Sequence, residues 1–247
     1  MKLLVCVSKT PDTTAKIAFV NNNTALNSQG VQYIMNPYDE WYALVRAVEL
    51  VEKNGGTVTL INVGPNTNDQ VIRKGLAIGA HDAVRIEAAD EVGSYYVAKQ
   101  IAEYAKSGGY DIIFCGKETI DYNGSEVGAM VAELLDMPFV SYATALDVAG
   151  TTATVARDIE GGTEVVEVAT PFVVSSAKGM AEQRIPNMQG IMKAKTKPFA
   201  VVQPVAVAEL TQVVSYALPP EKTGCKMIDP AHVEQLVELL HTEAKVI

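Results

Sequence analysis

Two short stretches hold most of the residues able to do chemistry. The first, Cys6-Val7-Ser8-Lys9-Thr10-Pro11-Asp12, follows an apolar run at the amino end. The second, Gly116-Lys117-Glu118-Thr119-Ile120-Asp121-Tyr122-Asn123-Gly124-Ser125-Glu126-Val127-Gly128, joins an apolar run to a helical pattern. The second is the stronger candidate, because small residues at a helix start leave backbone N–H groups free to attract a phosphate. The same pattern also fits a plain connection with Ser125 as helix cap and Glu126 complementing the helix dipole. No GxGxxG, P-loop or Ser-Gly-Gly-x-Asp-Ser segment occurs, which disfavours dinucleotide-fingerprint and ATP-hydrolysing families.

Other constellations are weaker. No Ser/His/Asp or Cys/His set falls at the ends of neighbouring strands, so no nucleophilic triad is assembled. Asp39-Glu40 reads as a solvated first helical turn rather than an acid/base pair. Asn36-Pro37-Tyr38-Asp39-Glu40 is a good helix entry, with Asn36 as cap and Pro37 at the first helical position. In a functional reading Asn36 reaches a nucleotide from a neighbouring loop. Cys6, Cys115 and Cys225 are far apart and fit neither a disulfide framework nor a zinc or iron-sulfur spacing. Cys6 and Cys115 read as small buried residues at strand ends. The histidines are equally scattered, so no metal site is expected and any redox chemistry must use a bound cofactor.

A run from Arg184 to Pro198 stands apart, crowding Ile185, Met188, Ile191 and Met192 beside Lys193, Lys195 and Lys197. A short amphipathic helix with Ile191 inward and a solvated lysine face accounts for part of it. Met188, flexible and polarizable, also suits an adaptable protein-docking surface.

The elements that position these residues alternate between short apolar runs and helical periods, the pattern of a parallel sheet covered by helices. Strands are expected at 2–7, 57–63, 83–86, 111–115 and 138–142, and helices at 37–53, 69–78, 94–106 and 125–135. From Ala143 the texture becomes Thr- and Val-rich alternation around a Glu160-Gly161-Gly162 turn, which reads as an antiparallel excursion. Beyond Pro198 the chain reads as an extended arm with a helix at 230–243, apolar at Val233, Leu236, Val237 and Leu240 and in need of something to pack against. The expected fold is thus α/β: an open, mostly parallel, Rossmann-like sheet with a β-hairpin excursion. Its domains are 1–198, nucleotide-binding, and 199–247, an arm and helix that pack on a partner.

The 247 residues carry a net charge of −9, which weakens a nucleic-acid role because such proteins concentrate cations against phosphates. No apolar run approaches the roughly 20 residues that cross a bilayer, and the start lacks a signal-type pattern. A cytoplasmic protein without membrane insertion is expected.

Four blocks resemble, in order, those of the electron transfer flavoprotein beta subunit: Asn36 to Glu40, Gly116 to Asp121, Ala156 to Glu164 with Thr170-Pro171-Phe172-Val173-Val174, and Arg184 to Pro198. The resemblance implies a heterodimer in which a larger alpha subunit holds FAD and this chain buries a nucleotide, usually AMP. It implies cofactor contacts at Cys6, Asn36, Val63, Asp121, Asn123, Gly124, Ser125, Glu126 and Val127, with Thr13 near the partner's flavin. It also implies an anchor at Met188, flanked by Ile185, Ile191, Lys193 and Lys195, that docks client dehydrogenases. The chain itself is then an electron-carrier subunit without catalytic residues. The same resemblance implies that electrons pass from dehydrogenases such as acyl-CoA dehydrogenases to a quinone oxidoreductase.

One departure bears on the nucleotide. AMP-binding members commonly show Asn-Gln-Thr-Gly where this chain has Ser125-Glu126-Val127-Gly128, so phosphate contacts here fall to the backbone. Bifurcating relatives, which hold a second FAD in place of AMP, also carry Val there. A stand-alone nucleotide-binding module or enzyme is the remaining alternative.

Overall fold

The computed structural model describes residues 1–222 and 224–247. The chain opens with β1 (Lys2–Cys6), whose Leu3 to Cys6 are all buried. Two small ladders follow: β2 (Lys9–Pro11) with β5 (Tyr33–Met35), and β3 (Phe19–Val20) with β4 (Ala25–Leu26). Helix α1 (Asp39–Asn54) leads to β6 (Thr57–Gly64), α2 (Asp69–Ile78), β7 (Asp82–Glu87), α3 (Ser94–Lys106), β8 (Ile112–Gly116) and α4 (Val127–Leu135). Then come β9 (Phe139–Ala149), β10 (Thr152–Ile159), β11 (Gly162–Ala169), β12 (Phe172–Ser176), α5 (Met188–Ala194), β13 (Phe199–Val202) and, on the arm, α6 (Val233–Leu239).

The fold is the expected α/β class. One 9-stranded sheet has the order β11-β10-β9-β12-β8-β1-β6-β7-β13. It is parallel from β9 to β13 and antiparallel only where β10 and β11 extend it. Alternate residues of each strand face opposite sides. Leu3 and Val5 pack with α1 and α2, whereas Leu4 and Cys6 pack with α3 and α4. Burial on both faces explains why the central strands are continuous apolar runs.

Several boundaries differ from the sequence expectation. Phe199–Val202 is the edge strand of the sheet, paired in register with Ala83–Ile86, so the arm begins at Gln203. Phe172–Ser176 is a central strand between β8 and β9. Helix α1 starts at Asp39 with no side-chain cap, and α4 starts at Val127 rather than Ser125, also uncapped.

The arm is tied back at several places, the Glu209 carboxylate accepting from the Gly93 N–H at 3.2 Å at one of them. Gln100 exchanges hydrogen bonds with the Val205 backbone at 2.8 and 2.9 Å. Tyr216 donates its N–H to the Asn23 carbonyl at 2.7 Å and stacks on Phe19 with ring centroids 5.1 Å apart. Beyond it, Val233, Leu236 and Val237 of α6 are all exposed. Among the described residues no helix is long and apolar enough to cross a membrane.

Candidate functional site

The chain runs from β1 to β6 and β7 on one side, then returns to β8 on the other. In open parallel sheets such a reversal leaves a crevice beyond the carboxyl ends of the strands, where ligands bind. A cleft of about 210 Å³ lies there. One buried water needs only roughly 10–15 Å³, so the space is of ligand size. Its inner wall is apolar, from Cys6, Ile61, Val63, Val97, Ile101 and Cys115. The rim is polar: Lys9 and Asp90 on one side, Glu118, Asp121 and Ser125 on the other.

The loop from Gly116 to Glu126 closes on itself. Thr119 donates its N–H to the Gly124 carbonyl at 3.3 Å, and Asn123, at φ 50°, donates to the Thr119 carbonyl at 2.8 Å. The N–H groups of Ser125, Glu126 and Val127 find no partner among the described residues, and no side chain caps α4. These are free donors at the positive end of a helix dipole. Ser125 is therefore not the cap that the plain reading of this loop expects.

The start of α1 holds both cleft loops. Glu40 is buried beneath them, and Ser8 donates its N–H and its hydroxyl to the two carboxylate oxygens. Burial pushes the Glu40 carboxyl up to about 8, opposed by the hydrogen bonds from Ser8. Asp39, raised by burial as well, accepts from the Glu118 N–H at 3.3 Å. The pair is therefore enclosed, and the solvated first turn read from sequence does not occur. Asn36 is not a helix cap either: it is fully buried and donates Nδ2 to the Glu118 carbonyl at 2.7 Å. A Cβ on Gly116 would lie 2.9 Å from Glu40 Cγ, so glycine is what lets β8 and α1 come this close.

Of the expected contacts, Cys6, Val63, Asp121, Gly124, Ser125 and Val127 line the cleft. Asn36, Asn123 and Glu126 do not line it; Asn36 and Asn123 instead hold the Gly116 to Glu126 loop through the carbonyls of Glu118 and Thr119. Thr13 is exposed in the turn that Asp12 stabilises by accepting from Thr14, away from the cleft lining. The Cys6 thiol is raised, chiefly by its hydrogen bond with Cys115 and then by burial. Sequence reasoning missed Asn62 and Asn68, whose side chains bond one another in the wall. No local pattern marks them.

The Arg184 to Pro198 run contains a short helix. Asn187 caps α5 by accepting the Gly190 N–H at 2.8 Å, and Met188, at its first position, is 74% exposed. Ile185, Ile191, Lys193 and Lys195 are exposed too. The inward residue is Ala194, not Ile191. Lys197 is not part of a solvated lysine face, because its Nζ donates to the carbonyls of Leu76 and Ala80 at the end of α2. The side chain thereby satisfies two backbone acceptors that the helix end leaves open.

A family profile described as electron transfer flavoprotein domain matches residues 24–207. The chain is similar to the electron transfer flavoprotein subunit beta of Bacillus subtilis, 36% identical over 261 aligned residues that cover 100% of both chains. The electron transfer flavoprotein subunit beta of Homo sapiens is 32% identical over 233 residues, 91% of each chain. The acryloyl-CoA reductase electron transfer subunit gamma of Anaerotignum propionicum is 32% identical over 263 residues, 97% of this chain and 98% of that protein.

Proposed function

The chain belongs to the electron transfer flavoprotein family, among its beta subunits, and from that premise we propose that it is half of a heterodimer whose alpha subunit holds FAD. In this reading the chain binds AMP in the switch-point cleft and docks dehydrogenases, acyl-CoA dehydrogenases among them, through Met188. The electrons leave toward a quinone oxidoreductase. Thr13, exposed on its turn, is available to the partner's flavin.

The observation that carries the nucleotide assignment is the row of unpartnered N–H groups at Ser125, Glu126 and Val127 on the lip of an apolar cleft. A phosphate satisfies those donors, and the Cys6 to Ile101 wall accepts an apolar ring. The carboxylates on the rim argue that an anion is held by backbone rather than side chain. Lys9 is the lysine on the lining, and Asp90 already neutralises it at 2.7 Å.

A second FAD in the same cleft is the other reading. It draws support from Val127, which brings no hydroxyl to a phosphate, and from the relative named for acryloyl-CoA reductase. One experiment decides. The chain is purified with its flavin-binding partner, denatured in acid, and the released cofactors are counted. One FAD and one AMP per heterodimer is the expected result. Two FAD and no AMP establishes the second reading, and a heterodimer with one FAD and no other nucleotide overturns both.

A further inference from the structure

The wall of the cleft contains a relay of two amides whose direction is forced. Asn62 donates Nδ2 to the Val7 carbonyl at 2.8 Å. A carbonyl can only accept, so the Asn62 amide must turn its nitrogen toward Val7 and its oxygen away. That oxygen in turn accepts from Asn68 Nδ2 at 3.0 Å. Asn68 is thereby fixed with Oδ1 as the free end of the relay. The residue is only 4% exposed, it lines the cleft, and Oδ1 has no partner. A buried acceptor left unpaired is destabilising, so it marks a place where a donor is missing.

The position says which part of a ligand supplies the donor. Asn62 lies on β6, and Asn68 ends the turn that follows it. The uncapped start of α4 follows β8, and β1 lies between the two strands. Two strand spacings, roughly 10 Å, are about the span of a nucleoside monophosphate. With its phosphate at α4, such a ligand would lay its base across the Cys6 and Val63 wall and end beside Asn68.

Resting on the nucleotide reading above, we propose that Asn68 reads the base, its Oδ1 accepting a hydrogen bond from an exocyclic amino group such as that of adenine. A carbonyl at the same position would set acceptor against acceptor. The relay is thus a specificity device whose polarity originates in the Val7 carbonyl. Gly64 belongs to it, since a Cβ there would lie 2.2 Å from Asn68 Nδ2 and displace the amide.

The test compares adenosine monophosphate with inosine monophosphate, which carries a carbonyl in place of the amino group. Each is titrated calorimetrically into heterodimer stripped of its nucleotide. The wild type is expected to favour the adenosine form by roughly tenfold or more. Asn68→Ala and Gly64→Ala should both bring the ratio toward one, with melting temperatures confirming folded protein. Two substitutions guard against either one failing to fold. A ratio that stays at the wild-type value in a folded variant overturns the proposal, as does a wild type that binds both nucleotides equally while the cleft still fills. Failure of the wild type to bind either one overturns the nucleotide reading itself, and the role of Asn68 with it.

Discussion

Glu40 takes both of its short hydrogen bonds from one residue: Ser8 donates its N–H to Oε2 and its hydroxyl to Oε1, each at 2.6 Å. Through this contact the first helix holds the loop that leaves β1. The same carboxyl group is buried, and burial moves its titration from 4.5 to about 8.

An unfolded chain releases this proton near its ordinary value, whereas the folded chain keeps it until about pH 8. Between those limits the folded state binds more protons, so the contribution of Glu40 to stability is present at low pH and is lost as pH rises. Glu40→Gln removes this dependence. Its melting temperature should therefore gain on that of the wild type from about pH 5 to about pH 8, followed by calorimetry on the heterodimer. Two melting curves that stay parallel across that range would show that Glu40 does not titrate there.

Met188 sits at the exposed first turn of α5, where the core has no use for it. Burying one such side chain against a partner contributes about 1.5–3 kcal/mol. Met188→Ala should slow reduction by a cognate dehydrogenase roughly tenfold or more. Reduction by dithionite and the melting temperature should not change. If the exposed Lys193 and Lys195 steer docking, the dehydrogenase reaction should slow as salt is raised. Wild-type rates with the dehydrogenase, or loss of folding, would end the docking role.

The arm offers a third test. Val233, Leu236 and Val237 form an uncovered apolar face on α6, and the expectation is that a partner subunit covers it. Leu236→Asp with Val237→Asp should weaken assembly at least roughly tenfold, measured as the subunit dissociation constant. Cooperative unfolding of the sheet in the isolated chain should be unaltered. Unchanged assembly would show that α6 packs elsewhere.

Much of the sheet was legible from periodicity because its strands and helices differ in both length and spacing. Leu44, Val48 and Val51 fall at helical intervals on α1, and Leu3 to Cys6 form a run too short for a helix and buried on both faces. Phe199–Val202 escaped notice because four residues beyond a proline look like arm until β7 is seen to pair with them. Phe172–Ser176 was hidden for a similar reason, since a short apolar run gains its meaning only from the strands on either side.

The site was legible where its chemistry is local and illegible where it depends on a side chain from elsewhere. The Gly116 to Gly128 loop announces itself by composition. Asp39 and Glu40 looked solvated because acidic residues usually are in a first turn, and only the approach of β1 and β8 over them encloses them. Asn36 looked like a cap because nothing in the sequence reveals that Glu118, far along the chain, offers it a carbonyl.

The edge strand β13 also sets an order in time. Residues 203–247 are synthesised only after every strand of the sheet has been made. At roughly 5–20 residues per second, those residues take about 2–9 s to translate. Every strand of the sheet is therefore made before the apolar face of α6, and the sheet sequence is complete before that face can compete for its strands.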